Sequence, residues 1–228
     1  MKKVLRRFWV NWLKPVLIVV LVTTSIRSAL ADWNDVPTGS MKPTILEGDR
    51  VFVNKLAFDL KVPYTTWHLA EWGNPRRGDI VVFYSPADGK RLVKRVIGLP
   101  GDTLALRDNQ LVVNGEQVAY TPLAQPIIDE IPAARQSQHQ FATELLGSRN
   151  HPVMATSQLP APRSFASLTV PADAYFMMGD NRDNSFDSRF YGCVPRKQIL
   201  GRVPAVALSF DPERYYLPRW HRWFTALP

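Results

Sequence analysis

From residue 32 onward, apolar side chains come in short runs divided by turn-forming residues, with little helical spacing. Glu47-Gly48-Asp49 is a turn before Arg50-Val51-Phe52-Val53-Asn54, and Arg77-Gly78-Asp79 turns into the β-branched run Ile80-Val81-Val82-Phe83-Tyr84. Such runs bounded by Gly, Asp and Pro are the pattern of strands, and an unbroken apolar run marks one buried on both faces. Arg91-Leu92-Val93-Lys94-Arg95-Val96-Ile97 follows, closed by Gly98-Leu99-Pro100-Gly101-Asp102. Asp108-Asn109 and Asn114-Gly115 are hairpin signals that divide residues 103–120 into a meander of three strands. Tyr175-Phe176-Met177-Met178 and residues 205–210 complete the set. A mostly β, antiparallel fold is predicted.

Four stretches break the pattern. Residues 8–26 form an apolar segment behind a cationic start, close to the ~20 residues a helix needs to span a bilayer. Charge placement then sets the N-terminus in the cytoplasm and the body of the chain across the membrane. Ala29-Leu30-Ala31 also has the form of a signal-peptide cleavage site, whereas Arg27, Trp9 and Trp12 favour a retained anchor. Residues 121–168 shift toward Pro, Ala, Gln and Ser, read as an insertion with a short helix near 141–146. Residues 63–75 read as a loop rich in Trp and Pro, and the tail holds Tyr215, Tyr216, Trp220 and Trp223 with three arginines. That tail suits either a membrane interface or surface packing. The expected organisation is 1–31 basic start and transmembrane anchor, 32–106 and 169–212 catalytic core, 107–168 inserted subdomain, and 213–228 tail.

Charge sharpens the picture. The net +8 is concentrated at the ends, where residues 1–14 contribute +5 and residues 213–228 contribute +2. The middle is nearly neutral, so no basic face for nucleic acid is expected. Cys193 is the one cysteine, which excludes an intramolecular disulfide, and His68, His139, His151 and His221 lack metal-ligand spacing. The run Gly179-Asp180-Asn181-Arg182-Asp183-Asn184-Ser185-Phe186-Asp187 invites a calcium reading. The EF-hand pattern fails there, since Arg182 takes a ligand position and the central glycine is missing. An Asx-rich turn is the alternative. No metal and no cofactor are called for.

The candidate chemistry lies in Val36-Pro37-Thr38-Gly39-Ser40-Met41-Lys42-Pro43-Thr44, where two prolines stiffen the backbone around Gly39 and Ser40. This suits a serine held out for attack, and equally an ordinary turn. No histidine stands in a distinctive context, so a Ser-His-Asp triad gains little support. A serine can instead use a lysine kept neutral by an apolar surround. Side chains alternate along a strand, so Lys94 shares a face with Leu92 and Val96, and Arg95 shares one with Val93 and Ile97. One of these cations is expected to be poorly solvated, and only the lysine could become a base. The alternative is a Lys94 that snorkels to solvent.

The segments 38–44, 77–83, 94–102 and 179–189 resemble, in order, the conserved boxes of bacterial type I signal peptidases (leader peptidases), and the similarity runs from about Val36 to Phe210. The resemblance implies a membrane-anchored serine endopeptidase in the bacterial cytoplasmic membrane, facing the extracytoplasmic side. It would remove signal peptides from exported preproteins after small residues of the A-x-A kind. It implies Ser40 as nucleophile and Lys94 as general base, with the Ser40 N–H and the Thr38 hydroxyl as oxyanion hole. Ser185 would orient Lys94, and Asp187 and Arg189 would brace the site. Val36, Met41, Leu92 and Val93 are candidate pocket walls. The implied fold is an antiparallel β catalytic core with an inserted β subdomain. Implied partners are preproteins, membrane lipids and the translocation machinery, with no nucleic acid. A specialised maturation peptidase of a secretion or conjugation system, and a non-catalytic membrane-tethered preprotein-binding module, stand as alternatives.

Overall fold

A computed structural model describes residues 9–62, 65 and 67–228. The cationic start at Lys2, Lys3, Arg6 and Arg7 lies outside the described residues. A π-helical turn, Trp9–Leu13, leads into helix α1, Lys14–Ala29. Pro15 lacks an N–H and its ring crowds the carbonyl four residues back, so regular α-helix is disfavoured on its N-terminal side. Val16 to Val22 are all at least half exposed, leaving the helix apolar and uncovered around its girth. Among the described residues no helix is long and apolar enough to cross a membrane.

The remainder is mostly β. The first strands are β1 (Ala31–Asp35), β2 (Asp49–Asn54), β3 (Asp59–Lys61), β4 (His68–Glu71), β5 (Ile80–Tyr84) and β6 (Arg91–Gly98). The middle of the chain gives β7 (Thr103–Arg107), β8 (Gln110–Val113), β9 (Glu116–Gln117), β10 (Ala119–Pro122), β11 (Gln140–Leu146), β12 (Arg149–Ala155) and β13 (Phe165–Thr169). The last are β14 (Ala174–Met178), β15 (Val194–Pro195), β16 (Ile199–Asp211), β17 (Leu217–Pro218) and β18 (Thr225–Ala226).

The main sheet runs β1-β2-β16-β5-β6-β14-β15 with antiparallel neighbours, and β17 and β18 pair with β16. It curls. Arg91 on β6 reaches Asn34 on β1 at 2.9 Å and Asp32 at 3.3 Å, although three strands separate β1 from β6 in the sheet. β5 is buried on both faces as its sequence predicts: Ile80 and Val82 join Val36, Met41, Ile45, Val51, Val53 and Val203, while Val81 and Phe83 pack with Phe58, Val96, Tyr175, Met177, Val194 and Ile199. The meander β7-β8-β9 is closed by β13, and its turns at Asp108-Asn109 and Asn114-Gly115 have positive φ throughout. Those angles match the twist of a two-residue hairpin and suit Asn, Asp and Gly.

Two expectations are corrected. Residues 141–146 are not helical but form the centre of the sheet β10-β11-β12, with Glu144 and Leu146 buried. Burial alternates at Glu144 and Leu146, but Phe141-Ala142-Thr143-Glu144-Leu145-Leu146 pairs its apolar residues and sets a glutamate inward, so the sequence itself shows no period-two pattern. Residues 63–75 are not simply loop, because β4 pairs back on β3 there; Pro63, Tyr64 and Thr66 lie outside the described residues.

The tail packs onto the body. Arg222 Nη2 lies 2.7 Å from buried Asp49, Arg219 donates to the Glu47 carbonyl, and the Trp223 indole donates to the Ser209 carbonyl. Two of the tail's three arginines are therefore turned inward. Tyr215, Tyr216, Trp220 and Phe224 stay exposed.

Candidate active site

Ser40 sits in a single 3-10 turn, Gly39–Met41, entered from extended Thr38. Met41 and Ile45 anchor the turn in the core, and Val36 begins it with a backbone bond to Asp49. On the other side, β6 delivers Lys94 opposite Val81 of β5. The two meet: Lys94 Nζ lies 2.6 Å from Ser40 Oγ and donates to the Val93 carbonyl at 3.1 Å. Lys94 is 3% exposed, so it does not snorkel to solvent. Burial lowers its pKa from the ordinary 10.5 to about 8; Asp187 and Asp180 oppose that fall and Arg189 adds to it. A sizeable fraction of the amine is thus unprotonated near neutral pH and able to accept a proton from Ser40.

Lys94 and Arg95 are both buried, not one of the two. Arg95, on the opposite face, is fully enclosed and makes a two-pronged pair with Asp180, Nε to Oδ1 at 2.8 Å and Nη2 to Oδ2 at 2.7 Å. A guanidinium that cannot neutralise itself must meet such a fork of acceptors to be buried. Burial, the largest single influence, would raise the Asp180 carboxyl, but the Arg95 charge and its hydrogen bonds, with His151 and Thr44, together outweigh it and hold the carboxyl below the usual carboxylate range. Thr44, just past the Ser40 turn, also donates to Asp180. The serine and lysine segments therefore rest on one ion pair. Nothing in the local sequence marks this pair, since its partners stand 85 residues apart. The available signal was an arginine flanked by apolar strand positions, which needs a buried carboxylate.

The Asp- and Asn-rich run after β14 is consumed by arginines. Asp183 faces Arg163 at 3.1 Å, and Asp187 and Arg189 form a fully buried pair with bonds of 2.8 Å. Asp187 also accepts the Gly179 and Arg189 backbone N–H groups, which fixes the loop behind Lys94. Gly179 is required by contact. A Cβ there would strike the Ser40 carbonyl and the Ser185 side chain. Ser185 is thus beside the site, but its hydroxyl is buried with no hydrogen-bond partner among the described residues, and Lys94 bonds to Ser40 and Val93 instead. Thr38 is exposed, and its side chain makes no capping bond to the turn. Of the four candidate pocket residues, Val36, Met41 and Val93 share one apolar cluster. Leu92 packs in another, with Val81 and Phe83, as strand alternation requires.

A buried lysine thus lies against a serine on a braced turn. The family model described as "Signal peptidase, peptidase S26" matches residues 9–208. The chain belongs to that family. It is 38% identical to signal peptidase I of Pseudomonas aeruginosa, with 91% of this chain and 75% of the relative covered. It is 37% identical to signal peptidase I V of Bacillus subtilis, covering 87% of this chain and 96% of that protein. The activity is accordingly that of a serine endopeptidase that removes signal peptides, and a Ser-Lys dyad is a property of the family.

Proposed function

We propose that Ser40 is the nucleophile and Lys94 the general base of this peptidase, acting on exported preproteins after small residues of the A-x-A kind. The 2.6 Å approach of a buried Lys94 to Ser40 carries the proposal. Neutral Lys94 takes the Ser40 proton as Oγ attacks the scissile carbonyl, then gives it to the departing amine. Water attacks the acyl-enzyme with Lys94 again as base. The developing oxyanion is met by the Ser40 N–H and the Thr38 hydroxyl, and one such donor is worth about 3–4 kcal/mol. Val36, Met41 and Val93 offer an apolar wall for a small substrate side chain, with Leu92 on the far side of the strand. Asp187 and Arg189 hold the loop at Gly179, and Ser185 supplies a hydroxyl next to the lysine.

The helical segment 9–29 anchors the protein in the cytoplasmic membrane, with the catalytic body on the extracytoplasmic side. Its uncovered apolar girth supports this reading, since apolar exposure on all sides of a helix suits lipid. The test is cleavage of a purified preprotein bearing an A-x-A signal peptide, in detergent and across pH, by wild type, Ser40→Ala and Lys94→Ala. Wild type cuts after the A-x-A site, both folded variants are inactive, and the acid limb of kcat/KM falls near pH 8. Equal cutting by Ser40→Ala, or none by folded wild type, would overturn the mechanism.

A further inference from the structure

The turn that carries Ser40 is held by the chain just after β14. Asn181 is 2% exposed, and its Nδ2 donates to the Gly39 carbonyl at 3.0 Å. Its backbone N–H donates to the Ser40 carbonyl at 3.1 Å. Two consecutive carbonyls are thus drawn toward the same buried wall, and the missing Cβ of Gly179 allows that approach.

The geometry of the peptide unit makes this consequential. In a trans peptide the C=O of one residue and the N–H of the next lie in one plane and point in opposite directions. The Gly39–Ser40 bond is trans. Fixing the Gly39 oxygen inward therefore fixes the Ser40 N–H outward, away from the wall and toward the side where Thr38 is exposed. The Ser40 N–H is one of the orphan donors of a helical turn, with no carbonyl partner among the described residues. The amide orientation of Asn181 is set by the same contact, because reversing it would set oxygen against oxygen. A second bond to the Gly39 carbonyl, from the Lys42 N–H at 3.1 Å, closes the 3-10 turn but comes from within the turn itself. Among the described residues, only Asn181 bonds the Gly39 carbonyl from outside the turn.

We infer that Asn181 is a positioning residue for the oxyanion hole: it clamps the Gly39–Ser40 peptide plane so that the Ser40 N–H is aimed at the tetrahedral oxyanion. It touches neither substrate nor the reacting atoms. The inference rests on Ser40 being the nucleophile. Removing an oxyanion donor outright costs about 10²–10³ in kcat, so releasing one from its clamp costs about 10–100-fold.

The experiment uses the full chain in detergent. Wild type, Asn181→Ala and the shape-matched Asn181→Leu are assayed for kcat and KM on an A-x-A preprotein. Each is also assayed for binding of a signal-peptide-derived boronic acid, which forms a tetrahedral adduct on the serine, and of the same peptide as a carboxamide. In the folded variants kcat and boronate affinity fall together by about 10–100-fold. KM and carboxamide affinity stay within about twofold, and the acid limb keeps its position. A merely structural role would lower carboxamide affinity and boronate affinity alike. Wild-type kcat in either folded variant, or equal loss for the two peptides, overturns the inference while leaving the Ser40 mechanism standing. Undiminished activity in a parallel Ser40→Ala control instead removes the mechanism on which it rests.

Discussion

Lys94 has a measurable energetic cost, and replacing it by methionine exposes that cost. In the unfolded chain the amine titrates at the ordinary 10.5, and in the folded protein at about 8. Below pH 8 both states carry the proton, and folding must bury the ion. Above pH 10.5 neither carries it, and the penalty is gone. Between these limits the unfolded state binds more protons than the folded one, so stability rises with pH. The fall from 10.5 to about 8 corresponds to about 3 kcal/mol across that window. Lys94→Met keeps the aliphatic length without the charge, at the expense of the Nζ contacts to Ser40 and the Val93 carbonyl. Its stability relative to wild type is therefore highest at and below pH 8, and declines by about 3 kcal/mol by pH 10.5. For a domain of this size that decline is a relative change in melting midpoint of about 6–12 °C. Urea or thermal unfolding of both proteins in the same detergent, from pH 7 to 10.5, gives the comparison, and groups common to both cancel. A stability difference that stays flat over this range would refute the argument, because it would mean that Lys94 folds without losing its hydration.

Two further outcomes follow from contacts elsewhere. Gly179→Ala forces a Cβ into the Ser40 carbonyl and the Ser185 side chain; on the proposed mechanism, displacing Ser40 by about 1 Å lowers kcat by about 100-fold, read by preprotein cleavage. Asp49→Ala strips the acceptor from Arg222, from the Ser209 hydroxyl and from the Leu46 N–H; it costs about 3–5 kcal/mol in urea unfolding and makes residues 213–228 sensitive to limited proteolysis.

What could be read from the sequence divides by range. Residues 80–84 and 175–178 are legible as strands because burial on both faces leaves no polar position to interrupt the run. The meander turns are legible because Asn and Gly are the residues that tolerate the positive φ found there. Strand β11 is not legible because its apolar residues come in pairs and its inward Glu144 is matched by Arg182 at 2.7 Å, by the Tyr120 hydroxyl at 2.6 Å and by His151 at 3.3 Å, all outside the strand. The site divides in the same way. Ser40 and Lys94 stand out from local context, whereas the Arg95–Asp180 pair and the Asn181 clamp join segments that no local pattern connects. The inward turn of Arg219 and Arg222 was hidden for a related reason: their partner Asp49 sits in a turn that reads as solvent-exposed.

The position of β16 governs when this protease comes into being. β16 lies between β2 and β5 although it is built from residues 199–211, so the centre of the main sheet is supplied near the end of the chain. β2 cannot find its inner neighbour until some 150 residues after it have been made, a separation that slows folding through the entropy of closing so long a loop. The Ser40 turn waits as well, since the wall that holds it begins at Gly179. A nascent chain that has emerged only as far as Lys94 therefore has a serine and a lysine but no catalytic apparatus. Timing is written into the strand order, and proteolytic competence arrives only once residues 179–211 have been made.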